Sequence, residues 1–133
     1  HRPMSAYNVQ IDVVPQYVAD QSKPLQEVFA FAYTVTVTNT GQVPVQLISR
    51  HWVIQDERGH SEEVKGLGVV GQQPLLRPGE SFQYSSGCRL RAPSGTMGGS
   101  YFFVAEDGHR FDAAIGTFIL ESSNTMPSGR TLH

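Results

Sequence analysis

One cysteine, Cys88, in 133 residues excludes an internal disulfide and any zinc site built from paired cysteines. No apolar run approaches the roughly 18 residues that a membrane-spanning helix needs, and no signal-peptide core follows Met4. A helical transporter is therefore excluded, no membrane partner is expected, and a cytoplasmic location is. Charge of one sign is also scarce. Residues 5–121 hold eight Lys and Arg against twelve Asp and Glu, a net of −4. Such a surface does not neutralise the many phosphates that nucleic-acid binding demands, so no nucleic-acid partner is expected. Missing too are a sustained helical period, an internal repeat and an inter-domain linker.

What remains is enough for one domain. A chain of 133 residues buries roughly two-thirds of its unfolded surface and holds a core without metal or disulfide. His1-Arg2-Pro3 ahead of Met4 reads as a tag remnant, which sets residues 1–4 aside. Residues 5–121 read as the folded domain, and the Ser/Thr/Pro/Gly-rich stretch 122–133 as a loose tail.

Within the domain, alternation with a period of two dominates. Residues 7–14 place Tyr7, Val9, Ile11 and Val13 on one face, and Pro15, lacking an N–H, is expected to end that strand. Residues 28–38 send Phe29, Phe31, Tyr33, Val35 and Val37 one way and Ala or Thr the other, the pattern of a half-buried strand. Residues 43–55 are apolar at both parities, which suggests a central or twisting strand. Asp56-Glu57-Arg58-Gly59 turns the chain so that 60–65 pairs back. Further strands are expected at 81–91, 101–104 and 111–120, with turns at Arg77-Pro78-Gly79-Glu80, Ala92-Pro93-Ser94-Gly95 and Glu106-Asp107-Gly108-His109. Seven to eight short strands at roughly ten-residue spacing predict an all-β, antiparallel sandwich.

The stretch Lys65-Gly66-Leu67-Gly68-Val69-Val70-Gly71 spells G-x-G-x-x-G, the pattern of a dinucleotide-binding turn. That chemistry needs a helix to begin at the last glycine. Gln72-Gln73-Pro74 and Pro78-Gly79 allow none, and no G-K-[ST] accompanies the glycines. The loop could offer backbone N–H groups to an anion with Lys65, Arg50 or Arg77 supplying charge, or its glycines could serve only a tight connection.

The other candidates divide similarly. Arg50 and Trp52 share one strand face and His51 takes the other. Trp52 reads as core; Arg50 and His51 are either surface residues or the lining of a groove beside the glycine loop. His51, His60 and His109 are isolated, and Glu62-Glu63 and Glu106-Asp107 point to opposite faces, so no metal is expected. Cys88 lies near Arg89 and Arg91, yet no nucleophile–base constellation can be read from spacing, and no enzymatic activity or cofactor is expected. Apolar Leu67, Val69 and Val70 offer a protein contact or else cover the end of the core.

Several motifs stand in fixed order: Tyr33-Thr34-Val35-Thr36-Val37-Thr38-Asn39, Arg50-His51-Trp52, Gly66-x-Gly68-Val69-Val70-Gly71-x-x-Pro74, Phe82-x-Tyr84-x-Ser86-Gly87, Pro93-x-Gly95-x-Met97-x-Gly99-x-Tyr101 and Asp107-Gly108-x-x-Phe111-Asp112. Over about residues 7–120 the chain resembles the ApaG family. The resemblance implies a fibronectin-type-III-like (immunoglobulin-like) sandwich, a bacterial source, an association with cobalt and magnesium resistance, and protein binding as the natural role. The expectation is thus a non-enzymatic interaction or ligand-binding module with an unidentified protein partner. The alternative is a nucleotide- or pyrophosphate-binding protein. Candidate ligand-binding residues are Arg50, His51, Lys65, Gly66, Gly68, Gly71 and Arg77. Homodimerisation through an edge strand stays open at this point.

Overall fold

The computed structural model describes residues 6–123; the expected tag remnant, Met4 and most of the expected tail lie outside the described residues. Eight strands form two antiparallel sheets, and no α-helix occurs among the described residues. The first sheet has the order β1 (Val9–Tyr17), β2 (Phe29–Asn39), β6 (Ser81–Leu90). The second runs β4 (Ser61–Leu67), β3 (Val45–Asp56), β7 (Ser94–Ala105), β8 (Arg110–Glu121), with the two-residue β5 (Leu75–Leu76) also on β3. The predicted all-β sandwich is the observed fold.

Alternation in β2 does what its sequence asks: Phe31, Tyr33, Val35 and Val37 are buried, and Ala32, Thr34, Thr36 and Thr38 are not. From the facing sheet, Trp52 and Phe103 complete the core with Leu47, Met97 and Tyr101. The Trp52 ring lies 5.4 Å from Tyr33 and meets Tyr101 edge-on at 6.1 Å. Edge-to-face rings of this kind add roughly 0.5–1.5 kcal/mol beyond their buried area.

The apolar residues at both parities of β3 have a definite cause. Register slips between Leu47 and Ser49, so Val45 and Leu47 face the core before the bulge, and Trp52 and Ile54 after it. An inserted residue switches the inward parity and bends the strand. A second slip, between Met97 and Gly99, bends β7 against β8.

Two expectations need correction. Pro15 does not end β1; it pairs with Tyr33 and the strand continues to Tyr17. β1 is the edge of its sheet, where a missing N–H is tolerated. The strand expected at 101–104 begins instead at Ser94, and Gly95 is inside it rather than in a turn. A Cβ at Gly95 or Gly99 would overlap the carbonyl oxygen of Gln55 or His51. Those glycines let β7 approach β3 closely, and at Gly95 the Pro-Ser-Gly composition carries the signature of a turn.

Along one side, β1 packs against β8 and closes the sandwich. On the other side β4 and β6 are free edges with a cleft between them. β3 therefore has two open faces to serve, one outside the sandwich and one inside.

Candidate functional site

Strand register places two cross-strand rows on the outer face of the larger sheet. One runs Leu67, Ser49, Phe102, Asp112; the next runs Lys65, His51, Ser100, Ala114. Small residues at 49 and 100 lower the middle of the sheet, while Leu67 and Phe102 rise on either side. The result is a groove of about 510 Å³, completed by Arg50 and Gly66 at the junction of β3 and β4. Leu67 is 75% exposed, more than any other large apolar side chain on the described strands.

Charge sits at the two ends of the groove. Lys65 and Asp112 form no ion pair among the described residues. They stand three strand spacings apart, roughly 14 Å, so neither neutralises the other. His51 Nε2 lies 3.1 Å from Glu63 Oε1, and this exposed pair borders the rim.

The glycine loop adjoins this groove but has an internal use for its donors. Gly68 N–H donates to Ile48 O, Val69 N–H to Gln72 O and Gln72 N–H to Val69 O, at 2.8–2.9 Å. Val70 (φ +43°) and Gly71 (φ +79°) form the centre of a tight type I′ hairpin turn. The left-handed conformation costs a β-branched residue roughly 1–2 kcal/mol. Leu67 and Val70 are exposed as expected of a contact surface, whereas Val69 is wholly buried in the core.

Arg50 accounts for the first glycine. Its side chain leaves the inner face, and Nη1 donates to Leu67 O at 3.0 Å and Gly68 O at 2.9 Å. A Cβ at position 66 would meet Nη1 at 2.8 Å, so Gly66 is the space that the guanidinium occupies. Of the seven predicted site residues, Arg50, His51, Lys65 and Gly66 line the groove. Gly68 and Gly71 shape the turn beside it, and the Arg77 guanidinium faces Glu80 at 3.8 Å, away from the groove lining. Ser49, Ser100, Phe102 and Asp112 were not singled out from sequence as site residues. Only the pairing register shows that they are neighbours.

The described residues contain no group of three or more His, Cys, Asp or Glu arranged to hold a metal ion. Burial, with a smaller contribution from the Glu62 carboxylate, pushes the Cys88 thiol up to about 11. A thiol of that acidity is a poor nucleophile at neutral pH.

The fold and its grooves define a β-sandwich protein whose concave surfaces lie on and between its sheets. An ApaG domain model matches residues 19–105, and the chain belongs to the ApaG family. It is similar to protein ApaG of Acidovorax sp. (strain JS42), 59% identical over 98% of this chain and 95% of that one. Protein ApaG of Ralstonia nicotianae is 58% identical, with coverage of 98% and 100%. A crystal structure of a Bordetella pertussis protein designated ApaA superposes with TM-score 0.86 at 52% identity, covering 95% of this chain and 99% of that one.

Proposed function

We propose that this protein is a non-enzymatic binding module that grips a segment of a partner protein in the outer-face groove. One observation carries the reading: the exposed Leu67 and the half-buried Phe102 flank a floor of serines, with a cation and an anion that form no ion pair at opposite ends. Apolar anchors provide affinity and the two charges fix the direction of the bound segment. The weakly acidic Cys88 thiol supports the non-catalytic part of the reading. A cytoplasmic site of action fits such a module. Cobalt and magnesium resistance would then be an indirect consequence of the partner's activity. The nucleotide alternative has less support, because the N–H groups of Gly68, Val69 and Gln72 already donate within the structure.

The test is selection of peptides from a random display library on the immobilised protein, followed by amide NMR mapping. Selected peptides should carry an apolar residue between an acidic and a basic end, and shift Ser49, His51, Lys65, Ser100 and Phe102. Leu67→Asp should abolish their binding and Val70→Asp should spare it. Peptides that map to other strands, or that ignore Leu67→Asp, overturn the reading.

A further inference from the structure

Across β3 from the groove, a second cavity of about 610 Å³ opens between the free edges of β4 and β6. Its volume falls in the range of small-molecule sites. The partly exposed Val64 gives it an apolar flank, the buried Trp52 and Met97 form its back wall, and Arg50 brings a cation into it. No carboxylate pairs with Arg50 among the described residues. Both hydrogens of Nη1 serve Leu67 O and Gly68 O, which leaves the N–H groups of Nη2 and Nε. Among the described residues the one sealed side-chain nitrogen without a partner is Nε2 of His109, so Nη2 and Nε of Arg50 keep some access to solvent although the guanidinium packs on Gly66. Arg50 leaves β3 at the inward parity of Trp52 and is half-buried, so its guanidinium stands at the boundary between the cleft and the outer groove and lines both.

A guanidinium fork with adjacent free N–H groups matches the two oxygens of a carboxylate. We propose that this cleft binds a small amphipathic carboxylate, its head on Arg50 and its apolar body against Trp52, Val64 and Met97. Glu62 stands at the mouth and its charge opposes entry of any anion, more strongly a doubly charged phosphate ester than a carboxylate. The site lies on the inner face of the same strands and shares only Arg50 with the peptide groove.

Trp52 is the single tryptophan and Cys88 the single cysteine, and both line the cleft, so its occupancy has two built-in reporters. Octanoate titrated into the full chain should shift Trp52 emission saturably and slow alkylation of Cys88 by iodoacetamide. Octanol, the same chain without charge, and octyl phosphate should each bind about tenfold more weakly. Glu62→Gln should tighten octanoate binding about threefold, while Glu63→Gln on the outer face should not change it. Arg50→Gln should weaken it at least about tenfold. Should Arg50→Gln fail to fold by circular dichroism, the octanol comparison and Glu62→Gln decide the matter. Equal responses to octanoate and octanol, tighter binding of octyl phosphate, indifference to Glu62→Gln, or no saturable change overturns the proposal. The octanol, Glu62→Gln, Trp52 and Cys88 outcomes involve no residue of the peptide groove.

Discussion

Replacing each glycine of the G-x-G-x-x-G stretch with alanine should give three different losses of stability, because each glycine answers a different physical demand. At Gly71 the left-handed φ of +79° is the whole demand, since nothing lies within 4 Å of the Cβ position. Left-handed strain of roughly 1–2 kcal/mol is partly offset by the roughly 0.4–1 kcal/mol that alanine gains by restricting the unfolded chain. A net cost of about 0.5–1 kcal/mol follows. Gly68, at φ +67°, has the same strain, and in addition its Cβ would overlap the carbonyl oxygen of Gln72. Backbone must move, and overpacking of that kind adds roughly 1–3 kcal/mol, for a total of about 2–4 kcal/mol. Gly66 carries no left-handed φ, but its Cβ displaces the Arg50 guanidinium from two carbonyls. Because one of those bonds is exposed, the cost is about 1–2 kcal/mol. Urea denaturation of the three variants, with slopes compared to the parent, reads these values directly. In a domain of this size each 1 kcal/mol lowers Tm by roughly 3–4 °C. Equal losses at the three positions, or a neutral Gly68→Ala, would refute the reasoning. Losses of phosphate binding without losses of stability would restore the anion reading of the loop.

Cys88, raised to about 11, should react with iodoacetamide at pH 8 about a hundredfold more slowly than a free thiol, followed by mass spectrometry. Burial raises Tyr84 to about 12 and also raises Tyr33 and Tyr101. The folded state therefore holds phenolic protons that the unfolded chain gives up near pH 10. Stability is full below that pH and falls as pH climbs from about 10 to 12, which alkaline denaturation monitored by circular dichroism would show. The Tyr84 and Tyr101 hydroxyls bond to each other in the core. Either single Phe substitution should cost about 1–3 kcal/mol by stranding the other hydroxyl, and the double variant should recover much of it. Finally, Leu67→Asp should change stability by less than about 0.5 kcal/mol while Val69→Asp prevents folding, since only the second puts a charge in the core.

How much of this was legible beforehand differs by element. The period-two pattern of β2 was readable because Phe31 to Val37 alternate without interruption. The family, too, was readable, because its motifs are local and occur in fixed order. β3 was only half readable: its two apolar parities were plain, but the bulge that reconciles them depends on pairing with β7. The start of β7 was not readable, because Pro93-Ser94-Gly95 signals a turn in isolation while Gly95 serves close strand contact in the sheet. Arg50, His51, Lys65 and Gly66 were singled out from sequence as candidates. That all four line one outer groove while Arg50 also reaches an inner cleft was not legible there.

Alone, the sequence determined an all-β domain with a hydrophobic core around Trp52, a family, and the absence of paired-cysteine chemistry. Those properties follow from local alternation, turn chemistry and composition, which need no knowledge of which strand lies beside which. Tertiary structure decided that Leu67, Ser49, Phe102 and Asp112 form one row, that Val69 is buried while its neighbours are exposed, and that Arg50 points inward. Register between strands distant in the chain is set by the packing of the whole core, so no window of sequence contains it.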